Sequence, residues 1–278
     1  MICAWQELLM LLPMWLRQQV DKGYRKDLLE LRLRVGYKTE LVLMDRSVWL
    51  DRRSDKQDVR FIINAVSQYS PWTATTMASG YITAPGGHRI GCCGDTVVQN
   101  GIITGIHEIS SLCIRVARSF QGISGDGPAG SVLIIGCPGS GKTTFLRDLI
   151  RSRSEKGSGS VCVVDERCEL FPSAHGAHCF DPGPRTDIIS ACHKAAGVLM
   201  LLRTMCPRCI AVDEITAAED CDALLSAGWC GVQLLATAHA ADRNDLFHRP
   251  VYRPIVVNHL FDTLVIMQPD KSWRAERM

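Results

Sequence analysis

The sequence predicts an α/β core with a parallel sheet, preceded by a smaller α+β N-terminal domain. Three observations predict the core. Residues Gly136-Cys137-Pro138-Gly139-Ser140-Gly141-Lys142-Thr143 fit G-x-x-x-x-G-K-[ST] and directly follow the apolar run Val132-Leu133-Ile134-Ile135, as a phosphate-binding loop requires. Further apolar runs at 161–164, 209–212 and 232–236 alternate with helical stretches, the pattern of parallel strands with helical crossovers. These runs end in Asp165-Glu166-Arg167, Asp213-Glu214 and Thr237-Ala238-His239. Carboxyl ends of parallel strands line one crevice, so the polar tips are expected to converge.

Taken in order, the apolar stretch 8–16 contains Pro13, has no basic residue before it and lacks a small-residue cleavage site. It is far short of a membrane span. An amphipathic or buried helix is the expected form, with docking on a membrane surface as the alternative. Residues 24–50 read as a helix passing into alternating strands, with Leu31, Leu33 and Val35 on one face, Arg32 and Arg34 on the other, and a turn at Gly36. Val59, Ile62, Ile63 and Val66 give 57–70 a helical period. The glycines of 80–94 suit a hairpin, and 109–117 reads as one more strand. Residues 1–121 therefore form the α+β domain, the glycine-rich run 122–131 a hinge, and 132–278 the nucleotide-binding domain. A hairpin of 264–267 and 272–274 is expected to close the sheet.

The chemistry follows from the residue types. Glycines let successive N–H groups of Gly136 to Thr144 face phosphate oxygens, Lys142 meets the β/γ-phosphates, and the Thr143 hydroxyl ligates Mg²⁺. The helix expected over 144–150 turns its positive dipole end to the same anion. Asp213 can hold the metal through water, and Glu214 can orient or deprotonate the attacking water. The two motifs together favour ATP hydrolysis over binding alone. Glu166 is a candidate second acid, unless it forms a surface ion pair with Arg167. Thr237 and His239 are placed to sense the γ-phosphate or metal-bound water, unless His239 is a structural histidine.

Composition sets limits. The chain has 278 residues, 46% hydrophobic and 22% charged, with net charge +2. Residues 1–118 carry 15 basic against 11 acidic side chains and 119–278 carry 16 against 18. Such a balance is too weak for a strong nucleic-acid or membrane footprint, and no specific nucleic acid is expected. Thirteen cysteines without an export signal point to free thiols in a reducing cytoplasm. Cys206 and Cys209, with His175, His178 and Cys179, are conceivable zinc ligands. Cys209 must also begin the strand that delivers Asp213, which favours a structural role.

The order of the P-loop, Asp165-Glu166, the tract Leu202-Arg203-Thr204-Met205-Cys206-Pro207 before Val212-Asp213-Glu214, and Thr237-Ala238-His239-Ala240 resembles the motor ATPases of type II and type IV secretion and pilus assembly. Leu31-Arg32-Leu33-Arg34-Val35-Gly36, Gly80-Tyr81-Ile82-Thr83, Gly86-Gly87-His88-Arg89-Ile90-Gly91, Ile109-Ser110-Ser111-Leu112 and Gly183-Pro184-Arg185-Thr186-Asp187 more closely resemble the stage III sporulation protein AA family. The resemblance runs from about residue 28 to 240. It implies a RecA/AAA-like P-loop NTPase using ATP and Mg²⁺, a cytoplasmic ring expected to be a hexamer. It also implies integral-membrane partners in a secretion-like channel between mother cell and forespore. Cys92, Cys93, Cys137 and Cys206 depart from the family pattern without removing a catalytic group. Rings of this kind take an arginine from a subunit interface, for which Arg185, Arg203, Arg89 and Arg115 are candidates. The alternatives are a nucleic-acid-dependent ATPase, touching phosphates through Arg32, Arg34 and the Gly-Gly-His-Arg hairpin, and a nucleotide-gated scaffold without turnover.

Overall fold

Pro13 splits the apolar N-terminal stretch into two helices, α1 (Trp5–Leu11) and α2 (Met14–Asp21). Trp5, Leu8, Leu11 and Leu16 are buried, so this stretch builds core. The computed structural model describes residues 4–67, 80–174 and 177–278. It contains two compact units, one formed by Met1–Arg118 with Pro172–Cys179 and the other by Ser119–Phe171 with Phe180–Met278.

In the first unit the strands are β1 (Leu28–Arg34), β2 (Lys38–Leu43) and β3 (Ser47–Arg53). Helix α3 (Lys56–Ser67) follows, and the end of the helix expected over 57–70 lies outside the described residues. Then come β4 (Tyr81–Thr83), β5 (Arg89–Gln99) and β6 (Ile102–Arg115). All six pair antiparallel in the order β3-β2-β1-β6-β5-β4. Alternation of Leu31 and Leu33 with Arg32 and Arg34 buries the leucines, as period-two patterning requires. Two expectations need correction. The helix precedes residue 24, because 24–27 form a turn. Beyond the short hairpin of β4 and β5 there is a long β5–β6 ribbon whose tip is Asn100-Gly101, both at positive φ, the backbone of a tight hairpin turn. His88 is buried and takes the Ala117 N–H at Nδ1 (3.1 Å) while Nε2–H donates to Ala4 O (2.8 Å). It is therefore a neutral structural histidine, its pKa pushed down by burial, and cannot serve as a phosphate contact.

The second unit carries β7 (Val132–Ile135), α4 (Lys142–Lys156), β8 (Val161–Asp165), β9 (Thr186–Ser190), α5 (Lys194–Thr204), β10 (Cys209–Ile215), α6 (Ala218–Trp229), β11 (Gln233–Ala238), α7 (Arg243–His248), α8 (Arg253–Val257), β12 (Thr263–Met267) and β13 (Trp273–Arg277). The sheet order is β9-β8-β10-β11-β7-β12-β13, parallel except for the β12–β13 hairpin at one edge. All four residues of β7 and all five of β8 are buried, which explains unbroken apolar runs in place of alternation. The fold is an α/β P-loop NTPase core in which β7 is flanked by β11 and β12.

The run 122–131 is fastened to this second unit. Asp148 on α4 accepts the N–H groups of Gly122 (2.9 Å) and Ser124 (2.8 Å), Arg153 donates to Gly130 O (3.0 Å), and Asp262 accepts Ser131 N–H (2.7 Å). At the end of the first unit, Arg118 donates to the carbonyls of Lys26, Arg25 and Leu28. Only 119–121 lie between these two anchorages.

Candidate active site

The phosphate loop leaves β7 and turns into α4 through Gly139 and Gly141, whose φ values are +76° and +98°. Glycine alone enters that region freely, and the resulting curl aims successive N–H groups to one side. Lys142 is buried, with Nζ donating to Gly136 O (2.8 Å) and Cys137 O (3.1 Å) and lying 3.2 Å from Nδ1 of His239. Burial pushes the Lys142 pKa down, against the pull of Asp213 and Glu214.

Opposite the loop, β10 breaks register with β11 between Val212 and Ile215. Glu214 sits in this break at φ +54°, a conformation that costs a non-glycine residue about 1 kcal/mol or more. Three contacts hold it there. Its N–H donates to Thr237 Oγ1 (2.7 Å), and that hydroxyl donates to Asp213 Oδ1 (2.5 Å). Glu214 Oε1 lies 2.8 Å from His239 Nε2, and Oε2 accepts from Arg167 Nη1 at 3.0 Å. An ammonium can only donate, so the bond from Lys142 makes His239 Nδ1 the acceptor and leaves the proton on Nε2, facing Glu214. The buried Tyr252 hydroxyl accepts the His239 N–H (3.2 Å) and donates to Ile215 O (3.3 Å), fixing the histidine from behind.

The turn after β8 supplies the third side of the site. Asp165 is buried and accepts the N–H groups of Glu169 (2.8 Å) and Phe171 (2.9 Å), with burial pushing its pKa up. Arg147, on the second turn of α4, donates to Leu170 O (2.6 Å) and Glu169 O (2.8 Å) and stacks on Phe180 at 4.4 Å. Burial pushes this arginine down to about 10. Glu166 shares a narrow cleft with Asp213 and Glu214, but its oxygens are taken by Lys194 and by His193 (3.3 Å). Burial works to raise the Glu166 pKa, and the partners outweigh it and hold it low. The alternative reading of Glu166, an ion pair with Arg167, does not hold, since Arg167 pairs with Glu214.

Two arginine candidates lie away from this unit's own loop. Arg185 donates to Ser154 O (2.8 Å) and Glu155 O (3.2 Å) at the far end of α4, some ~18 Å along the helix from Lys142 at 1.5 Å per residue. Arg203 is exposed at the carboxyl end of α5, next to the start of β10 and so at the end of the sheet opposite Asp213. A role for either in its own site is thereby excluded. In the first unit, Arg89 stacks on Tyr81 at 3.9 Å and Arg115 faces Glu30 at 3.5 Å. Cys209 is buried at the start of β10, its thiol pushed up to about 12 by burial, and Cys206 is exposed. Among the described residues, which omit His175, no three His, Cys, Asp or Glu side chains gather to hold a metal.

The loop has the chemistry a nucleotide needs. Lys142 donates to backbone oxygens where phosphate oxygens would accept, and the buried Ser140 Oγ has no hydrogen-bond partner among the described residues. The loop N–H groups and Lys142 would hold the phosphates, with Thr143 and Asp213 offering the hard oxygen ligands Mg²⁺ prefers. Bound Mg²⁺ would neutralise phosphate charge. Glu214, with its two oxygens oriented, can accept a proton from water or aim it, and His239 keeps it in register with Lys142.

The fold is shared with solved structures of an ATPase and a pilus retraction motor. The Legionella pneumophila ATPase DotB matches with TM-score 0.63 at 18% identity, covering 96% of this chain and 80% of that one. The pilus retraction motor PilT, solved with bound ADP, matches with TM-score 0.61 at 14% identity, covering 91% and 76%. The chain belongs to the family described as sporulation stage III, protein AA, which matches residues 5–275. Stage III sporulation protein AA of Bacillus subtilis (strain 168) is 36% identical over 245 residues, covering 84% of this chain and 80% of that protein. The uncharacterized protein ycf45 of Cyanidium caldarium is 28% identical over 203 residues, covering 68% and 57%. Among the described residues no helix is long and apolar enough to cross a membrane.

Proposed function

We propose that this protein hydrolyses ATP with Mg²⁺ as the ring-forming motor of a secretion-like channel in endospore formation. The observation that carries the reading is the unbroken chain Lys142–His239–Glu214 (3.2 and 2.8 Å), which joins the phosphate loop to the water-activating carboxylate. Binding alone needs no such link. In this reading Lys142 and the loop from Gly136 to Thr144 bind the phosphates, Thr143 and Asp213 hold Mg²⁺, and Glu214 activates water. His239 positions Glu214 and reports on the γ-phosphate, and Glu166 shapes the acidic wall. The protein works in the cytoplasm and reaches the membrane through integral-membrane channel components.

Phosphate release by the purified chain, compared with Lys142→Ala, tests it. Removing a charge that faces the β/γ-phosphates forfeits a charge-assisted contact, so ATP affinity is expected to fall roughly tenfold or more and turnover to vanish. Wild-type affinity in the folded variant overturns the loop assignment. A wild-type protein that binds ATP and releases no phosphate, alone or with membranes carrying its channel partners, overturns hydrolysis.

A further inference from the structure

We propose that Arg167 is a positioning residue for Glu214, a role that rests on the hydrolytic reading above. Strands β8 and β11 flank β10 on its two sides, and each sends one side chain across its end to one oxygen of the same carboxylate. Arg167 Nη1 comes from the β8 side to Oε2 at 3.0 Å, and His239 Nε2 from the β11 side to Oε1 at 2.8 Å. A glutamate so held has one orientation of its carboxylate plane. His239 alone leaves rotation about the last side-chain bond free, and Arg167 removes it. The bond to Arg167 occupies part of Oε2 only, since an ionised carboxylate offers about four lone-pair directions, and room remains for a water.

The placement of Arg167 is built at some expense. It stands in a turn between the buried Asp165, which accepts two N–H groups of that turn, and the buried Arg147, which donates to two of its carbonyls. Cys168, next in the chain, takes φ +54°. Burying an arginine and a carboxylate and straining a residue to shape one surface turn is the signature of a turn whose end must be fixed. Because Arg147 belongs to α4, the loop helix itself sets where Arg167 stands. Glu214, strained at φ +54°, keeps that backbone only while its surroundings over-determine it.

Arg167 is half-exposed, so its substitution leaves the core intact. In Arg167→Ala, turnover is expected to fall ~10- to 100-fold, the penalty of a misplaced reacting group. ATP affinity, measured by direct titration, stays within about twofold of wild type because no phosphate contact is lost. Arg167→Lys recovers part of the loss, a single point donor replacing a planar fork. Combined with Glu214→Gln and measured in single turnover, Arg167→Ala adds nothing, since both act through one group. Wild-type turnover in Arg167→Ala overturns the proposal alone. An affinity loss equal to the turnover loss also overturns it, by making Arg167 a nucleotide ligand, as does a full additional loss on top of Glu214→Gln. No phosphate release from the wild-type protein overturns the hydrolytic reading and this proposal with it.

Discussion

Glu214 is held at three atoms, its amide by Thr237 and its two oxygens by His239 and Arg167. An amide in place of this carboxylate keeps the shape, one acceptor and the strained backbone, but loses the charge and the proton-accepting oxygen. Glu214→Gln is therefore expected to bind ATP as wild type does while turnover falls by about 10²- to 10⁴-fold, the range for loss of a general base. Nucleotide retained on the variant after gel filtration, identified as ATP or ADP, checks it. ADP accumulating at the wild-type rate would move the role to another acid, with Glu166 first in line. The loop and its acidic partners were legible because the motif names the backbone geometry as well as the residues. The partner of Arg167 was not. Whether it reaches Glu166 or Glu214 depends on the turn after β8, which is shaped by Arg147, and nothing in a helical arginine announces that it is buried.

At the scale of elements, the four strands that carry the site were legible from apolar runs, three of them closed by polar tips and β7 by the phosphate loop. The β5–β6 ribbon was not, although Asn100-Gly101 is a strong turn signal. Residues 92–105 mix cysteine, glycine and aliphatics without clean alternation, because most of the ribbon is exposed on both faces. The run 122–131 reads as a hinge for its glycines. Asp148 ties its start to α4: one carboxylate accepts from Gly122 N–H, Ser124 N–H and Ser124 Oγ–H and pairs with Arg151 at 3.2 Å. Burial works to raise the Asp148 pKa, and these donors outweigh it, leaving the carboxyl below its ordinary 3.8. A depressed carboxylate contributes stability above its unfolded pKa and loses it as pH falls through the folded value. Asp148→Asn is thus expected to cost about 1–3 kcal/mol at neutral pH, read by denaturant unfolding. The gap between wild type and variant closes below about pH 4. A gap that stays constant down to pH 3 would show that the ion is not what holds the segment.

In the whole molecule, a phosphate loop at the carboxyl end of a parallel sheet would leave the γ-phosphate of a bound nucleotide open to its surroundings, and neither Arg185 nor Arg203 is at that end of the unit. Arg185 stands at the far end of α4 and Arg203 at the amino ends of the strands, so if either of these two acts at a γ-phosphate it does so in another copy. Contacts made only when ATP is present favour the assembled form by mass action, because they add affinity to one state and not the other. The chain passes between its two units at 118/119, 171/172 and 179/180. The run 122–131 is hydrogen-bonded within the second unit. We expect Glu214→Gln with ATP and Mg²⁺ to sediment as a larger species than the nucleotide-free protein, with the mass of a hexamer. The same variant carrying Lys142→Ala should stay small, because it lacks the ligand and not the surface. A monomer in both conditions, well above micromolar concentration and with ATP bound by direct measurement, overturns a homomeric ring and makes assembly depend on a membrane partner.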